Sequence, residues 1–267
     1  MMTTRMMLLT TSLLLAATAA SVSGQPALPA ATPAGPSPTL GLAPPANAIV
    51  LFDGKDLAKW TRMDGSPAPW KVADGAVTSG GGDIRSQDTF QDAYVHLEWM
   101  EPDMPQAQGQ ARGNSGVALQ GRYEVQVLDS FGIDVPGKGD CGAVYGQYAA
   151  LVNACRPPLE WQTYDIIFRA PRFDAEGKLL EHARLTVLQN GIVIQNNVQV
   201  TGVNYPPLDT DISAPGALLL QDHGCPVQYR NVWFVPLPEK GSEEYQGKRV
   251  GKMGRRLFSG IDAQERA

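Results

Sequence analysis

The chain has 267 residues and a formal charge of −5 at pH 7, with 28 Gly, 21 Pro and only 18% charged residues. An acidic balance with no electrostatic footprint for phosphates argues against nucleic acid as a partner. Abundant Gly and Pro between short apolar runs suit many strands and turns, not a helical bundle.

In chain order, Arg5, an apolar run over 6–20 and small residues up to Gly24 read as a signal peptide spanning 1–24. The run is too short for a comfortable membrane span, so no stable insertion is expected after its removal. The expected location is periplasmic or secreted. Residues 25–47 are dominated by Pro, Ala, Ser, Thr and Gly, a composition predicted to form a disordered spacer because it buries too little apolar surface to offset ordering entropy. The stretch 48–238 is then long enough for one sandwich or barrel core.

Within that stretch apolar residues alternate with period two at Val95, Leu97 and Trp99, at Val125 and Val127, at Ile166 and Phe168, at Leu185 and Val187, and at Tyr229, Asn231 and Trp233. Each set predicts a strand with one face inward. Asn190 and Gly191 stand between two such runs and predict a tight hairpin. No helical period lasts beyond two turns before the C-terminus, so the expected fold is all-β, two antiparallel sheets packed face to face. Residues 239–267 carry seven basic and five acidic side chains with little apolar pattern, as in a solvated tail.

Three cysteines occur, at 141, 155 and 225. In an oxidising compartment Cys141 and Cys155 are expected to form a disulfide, worth roughly 3 kcal/mol by loop closure. Cys225 is left as a small buried thiol.

The segment GNSGVALQGRYEVQVLDS over 113–130 concentrates the candidate chemistry. Glu124 and Gln126 share one strand face, and one bulged residue after Gln126 would bring Asp129 round to join them. The spacing resembles the catalytic strand of family 16 glycoside hydrolases, which carry Glu, Asp and Glu there. Gln126 and the shorter Asp129 depart from that pattern, which argues against a retaining mechanism with two matched carboxylates. Asn114 and Ser115 stand in a Gly-flanked turn, and Gln221 and His223 follow an apolar strand on a common face. Alternation puts Glu98 on a face with His96 and Tyr94, opposite Val95, Leu97 and Trp99, and Arg230 on a face with Val232 and Phe234, opposite Tyr229 and Trp233, so Glu98 and Arg230 are candidates for a polar cleft. Trp161, Trp70 or Tyr123 could offer a ring face to a pyranose.

Five blocks, VLFDGKDLAKW, GNSGV with GRYEVQVLDS, CGAVY with NACRPP, WQTYDIIFRAPRFD and QDHGCPVQYRNVWFVP, together resemble the 3-keto-disaccharide hydrolase family, in order and across 49–236. The resemblance implies a concanavalin A-like jelly roll and a carbohydrate partner, an oxidised glycoside or disaccharide. It implies cleavage of a glycosidic bond in a sugar already oxidised at C3. A C3 ketone acidifies the hydrogen on C2, so a base removes it, the C1 group leaves, and water adds. Glu124 or His223 is expected as the base, with Asp129 or the remaining one of the two as the acid. Asn114, Ser115, Gln126, Gln221, Arg230, Glu98 and Trp161 are the expected substrate contacts. A divalent metal would assist an enolate, yet no closely spaced ligand cluster announces one. A non-catalytic carbohydrate-binding module on the same fold is the rival reading.

Overall fold

The structure is a computed structural model that describes residues 35–204 and 208–239. The signal segment, the first part of the spacer and the tail from 240 onward lie outside the described residues. The strands are β1 (Ile49–Phe52), β2 (Trp60–Arg62), β3 (Lys71–Ala73), β4 (Ala76–Thr78), β5 (Ile84–Phe90), β6 (Ala93–Met100), β7 (Ser115–Leu119) and β8 (Tyr123–Val127). They continue with β9 (Gln162–Arg169), β10 (Arg172–Phe173), β11 (Leu179–Glu181), β12 (Ala183–Gln189), β13 (Ile192–Val200), β14 (Gly216–Leu220) and β15 (Gln228–Pro236). Among the described residues the one helical element is a 3-10 turn, Gly109–Ala111, and no helix is long and apolar enough to cross a membrane.

An eight-stranded sheet runs β13-β12-β9-β6-β15-β4-β3 with β1 also on β15, and it faces a five-stranded sheet ordered β2-β5-β14-β7-β8. The pairings are antiparallel, and the two sheets make the jelly-roll sandwich. Val95, Leu97 and Trp99 enter the shared core with Val125, Val127, Ile166, Phe168, Leu185 and Val187, as their alternation requires. Between the sheets Phe90 packs on Phe168 and Phe234, at ring separations of 6.0 and 5.0 Å. The β12–β13 hairpin turns through Asn190 and Gly191 at φ of 53° and 80°, the left-handed geometry a two-residue turn needs.

One strand departs from simple alternation. In β15 the register slips between Arg230 and Trp233, with Asn231 at φ 48°. The bulge turns Val232 and Phe234 into the core with Tyr229 and leaves Arg230 and Trp233 on the opposite face. Alternation had placed Arg230 with Val232 and Phe234; the extra residue corrects that.

The outer face of the eight-stranded sheet is polar and covered. Trp233 stacks on His96 at 4.8 Å, and His96 Nδ1 lies 2.8 Å from Asp165 Oδ1. Glu98 accepts from Arg230 Nε at 2.7 Å and from Asn231 Nδ2 at 2.9 Å. Over this cluster lies the chain from Gly35 to Asn47, half of the segment expected to be disordered. Thr39 Oγ1 donates to Asp165 at 2.6 Å, the Gly41 N–H donates to Glu98 at 2.6 Å, and the Ser37 and Thr163 hydroxyls meet at 2.7 Å. Composition understated this segment because its order comes from buried acceptors on the sheet and not from its own apolar surface.

Burial opposes charge on both His96 and Glu98, but their partners outweigh it. Hydrogen bonds to Asp165 and Glu98 raise the imidazole above its ordinary value, and those from His96, Asn231 and Arg230 lower Glu98 to about 2. The raised His96 contributes stability that is full below its unfolded value and fades as pH rises. The depressed Glu98 contributes stability above its unfolded value and loses it toward acid. Glu98→Gln should therefore lower unfolding free energy by roughly 3 kcal/mol, most visibly between about pH 5 and 6.5. Urea titrations across pH check this, and a flat difference would mean that the cluster is not charged.

Candidate active site

The outer face of the five-stranded sheet carries a cleft of about 500 Å³, lined by Asp83, Gln110, Asn114, Glu124, Gln126, Tyr145, Asn204, Gln221, Asp222 and His223. Strand alternation builds it. Tyr123, Val125 and Val127 point into the core, so Glu124 and Gln126 point out, and on β7 Val117 and Leu119 point in while Gly116 and Ala118 face out. Pairing sets Gly116 against Gln126 and Ala118 against Glu124. The Gln221 N–H bonds Gly116 O at 3.0 Å, which brings the end of β14 alongside.

Gly116 is the floor. A Cβ there would lie 2.6 Å from Glu124 Oε1 and 3.2 Å from Gln221 Oε1, so both side chains fold into the space a larger residue would fill. Glu124 is only 4% exposed. Burial first, and the nearby negative Asp83 second, raise its carboxyl to about 8. The buried Gln221 Oε1 has no hydrogen-bond partner among the described residues, an acceptor suited to a protonated carboxyl beside it. With its amide turned, Gln126 donates to Glu124 Oε1 at 3.1 Å and Ser115 O at 2.9 Å.

His223 is exposed on the opposite rim. Its loop is fixed by Asp222, which accepts from the Gly82 and Gly224 N–H groups at 2.7 and 2.8 Å and donates its own N–H to Asp83 at 2.8 Å. On the other side the CGAVY stretch runs along the free edge of β8, with Tyr145 N bonded to Glu124 O. That brings the Tyr145 ring to the cleft. Asn204 clamps this edge, accepting from Glu124 N at 2.8 Å and donating to Glu124 O and Tyr145 O at 3.0 and 3.1 Å.

The cleft therefore gathers Glu124, His223, Asn114, Gln126 and Gln221 from the expected set. Asp129 is not among its lining residues. Val127 and Leu128 are both in the core, so alternation does break after Gln126, but the strand ends there and Asp129 turns to Arg112 Nε at 2.6 Å and Phe131 N at 3.2 Å. Ser115 points inward, donating to Gln221 O and accepting from Tyr229 Oη, both at 2.6 Å. Glu98 and Arg230 lie on the far sheet, and Trp161 lies under the Arg230 guanidinium at 4.0 Å. Trp70 and Tyr123 are core residues. Period-two reasoning pairs residues on a face, yet it does not say which sheet face borders the cleft.

Asp83, Gln110, Tyr145, Asn204 and Asp222 were not singled out by the sequence reading. The Gly run before Asp83 and the QDHG motif around Asp222 were the available signals. The expected Cys141–Cys155 bond is not formed; both are buried free thiols, within 3.5 and 3.3 Å of Gln189 Nε2, with Cys141 Sγ also 3.1 Å from Tyr164 Oη. The two thiols are adjacent and hydrogen-bond each other, so the expected pair is brought together as thiols and not as a disulfide. Cys225 is a buried free thiol, as expected. Among the described residues no three His, Cys, Asp or Glu side chains converge as a metal-binding group.

A family model described as a 3-keto-alpha-glucoside-1,2-lyase-like domain matches residues 47–235. A candidate glycosyl hydrolase from Parabacteroides distasonis, solved at 2.13 Å, is 41% identical over 72% of this chain and 84% of its own, with a TM-score of 0.66. A second candidate glycosyl hydrolase from the same organism, at 21% identity over 72% of this chain and 94% of its own, has a TM-score of 0.53 and shares the fold. No curated protein matches.

Proposed function

Because the chain belongs to the 3-keto-alpha-glucoside-1,2-lyase-like family, we propose that it is a carbohydrate-active enzyme that cleaves 3-keto-glycosides by eliminating the C1 substituent and then adding water. The observation that carries this reading is a buried carboxyl raised to about 8, Glu124, in the same cleft as an exposed imidazole, His223. In the neutral form His223 takes the proton from C2, whose acidity comes from the C3 ketone. The C1–O bond breaks as C1=C2 forms, and Glu124 gives its proton to the departing oxygen. The Gln221 amide N–H can hold the enolate oxygen, and the Asn114 amide oxygen can accept from a neighbouring hydroxyl. Water then adds across C1=C2: the Glu124 carboxylate takes a proton from the water as its oxygen bonds C1, and His223 returns its proton to C2, which restores both groups. The Tyr145 ring offers a face to the apolar side of a pyranose. The apolar leader at 6–20 supports export to the periplasm or medium.

The test incubates the protein with a 3-keto-disaccharide and with its unoxidised parent, with and without a chelator, and follows the released 3-keto sugar in D₂O. Cleavage of the keto substrate alone, with deuterium appearing at C2, is expected. Equal cleavage of the parent, or sugar binding without any cleavage, overturns the reading, the second outcome leaving a carbohydrate-binding module.

A further inference from the structure

The face that holds the cleft carries a second feature. The strand register runs one row of outward side chains across all five strands, Thr61, Arg85, Leu219, Ala118 and Glu124, each opposite the next. At the end away from Glu124 lies another hollow of about 370 Å³, lined by Thr61, Arg85, Thr89 and Asp209. Between the two, the half-buried Leu208 packs over Leu219 and Ala118, which it leaves fully buried, and its own side chain forms a low apolar rise beside the hollow. With neighbouring strands about 4.8 Å apart, three strand steps separate Arg85 from Glu124 by roughly 14 Å at the backbone.

Arg85 is half-buried, and its guanidinium makes no hydrogen bond or ion pair among the described residues. The carboxylate in the same wall, Asp209, is taken by Arg122 Nη2 at 2.6 Å and Nε at 3.0 Å. A partly desolvated cation without a partner is costly, and the planar guanidinium fork matches a carboxylate with two parallel hydrogen bonds. One guanidinium supplies one compensating charge, and Asp209 disfavours a dianion, so a carboxylate fits better than a phosphate. The open side of Leu208 suits the C–H face of a sugar ring lying across it.

We propose that this hollow is a subsite for the leaving group, and that it selects a leaving group bearing a carboxylate, such as an aldonate or uronate. Its place as a leaving-group subsite rests on the reading of Glu124 as the reacting end of the cleft. The separation fits a glycoside whose leaving group is one sugar acid, its carboxylate on Arg85 and its glycosidic oxygen at Glu124.

The experiment has a binding arm and a turnover arm. In the first, calorimetric titration of the full chain with cellobionate and with cellobiose at low salt is expected to show about tenfold tighter binding of the acid, a preference that disappears in Arg85→Gln. In the second, Arg85→Gln should raise KM for 3-keto-cellobionate about tenfold while kcat, and both constants for 3-keto-cellobiose, stay unchanged; the unchanged neutral substrate also shows that the variant folds. Equal affinity for the two disaccharides, or a preference that survives Arg85→Gln, overturns the subsite. An Arg85-dependent preference without cleavage of either keto sugar supports the anion site while overturning the eliminative reading.

Discussion

Glu124→Gln is expected to lower turnover of a 3-keto-glycoside by 10²- to 10⁴-fold, the usual worth of a positioned general acid, and to make the protein more stable at alkaline pH. Both effects have one cause. The carboxyl is buried against Gly116 and faces the negative Asp83, so it is raised to about 8 and stays protonated near neutrality. Activity should therefore fall as pH rises through about 8, and Asp83→Asn should move that limb to lower pH. A carboxyl whose folded pKa lies above its unfolded value contributes fully only below the unfolded value, and that contribution is lost as pH rises to the folded one. From an ordinary 4.5 to about 8 the loss is roughly 4 to 5 kcal/mol. Glutamine has the same shape and does not titrate. At pH 9 the variant should melt roughly 10 °C above the parent. Melting curves at pH 5, 7 and 9 beside a pH–rate profile test both halves. A parent stability that is flat over this range would remove the protonated carboxyl, and a rate that rises through pH 8 would exchange the roles of Glu124 and His223.

Gly116→Ala should lower kcat/KM by about 100-fold with a change in stability of no more than about 1 kcal/mol. The new methyl would stand 2.6 Å from Glu124 Oε1 and 3.2 Å from Gln221 Oε1, so both side chain ends must move. They are the far ends of flexible side chains, and the position is an ordinary strand site where alanine is tolerated, so the fold should absorb the change. Catalysis should not, since displacing a reacting group by about 1 Å typically costs that much. Pushed toward water, Glu124 should also regain a more ordinary pKa, and the alkaline limb should move down with it. An unaltered rate profile in a folded Gly116→Ala protein would mean that the carboxyl acts from another position.

Much of the architecture was legible in the chain. Val95, Leu97 and Trp99 pack inward as period two requires, and Asn190-Gly191 makes its hairpin. Within the cleft the same rule placed Glu124 with Gln126, and the QDHG motif supplied His223. Asp129 was misplaced because residues beyond a strand end follow their own hydrogen bonds, here to Arg112 and the Phe131 N–H. Arg230 kept its outward face, but that face belongs to the far sheet; the bulge at Asn231 reverses the assignments after it, sending Val232 and Phe234 inward and Trp233 outward.

The sequence by itself determined the strands, the inward faces and the family resemblance, because alternation and turn chemistry are local and act within a few residues. Only the tertiary structure decided which outward face becomes a cleft. Glu98 and Glu124 look alike in sequence, each a carboxylate alternating with core residues. One lies under the 35–47 segment and is lowered to about 2 by its cationic and amide partners; the other sits over a glycine, beside a second carboxylate, and is raised to about 8. The difference is made largely by what folding brings in from far away in sequence: Asn231, Arg230 and Gly41 join the neighbouring His96 around one, while burial and Asp83 act on the other. A side chain's proton affinity depends on the solvent and charge that folding brings around it.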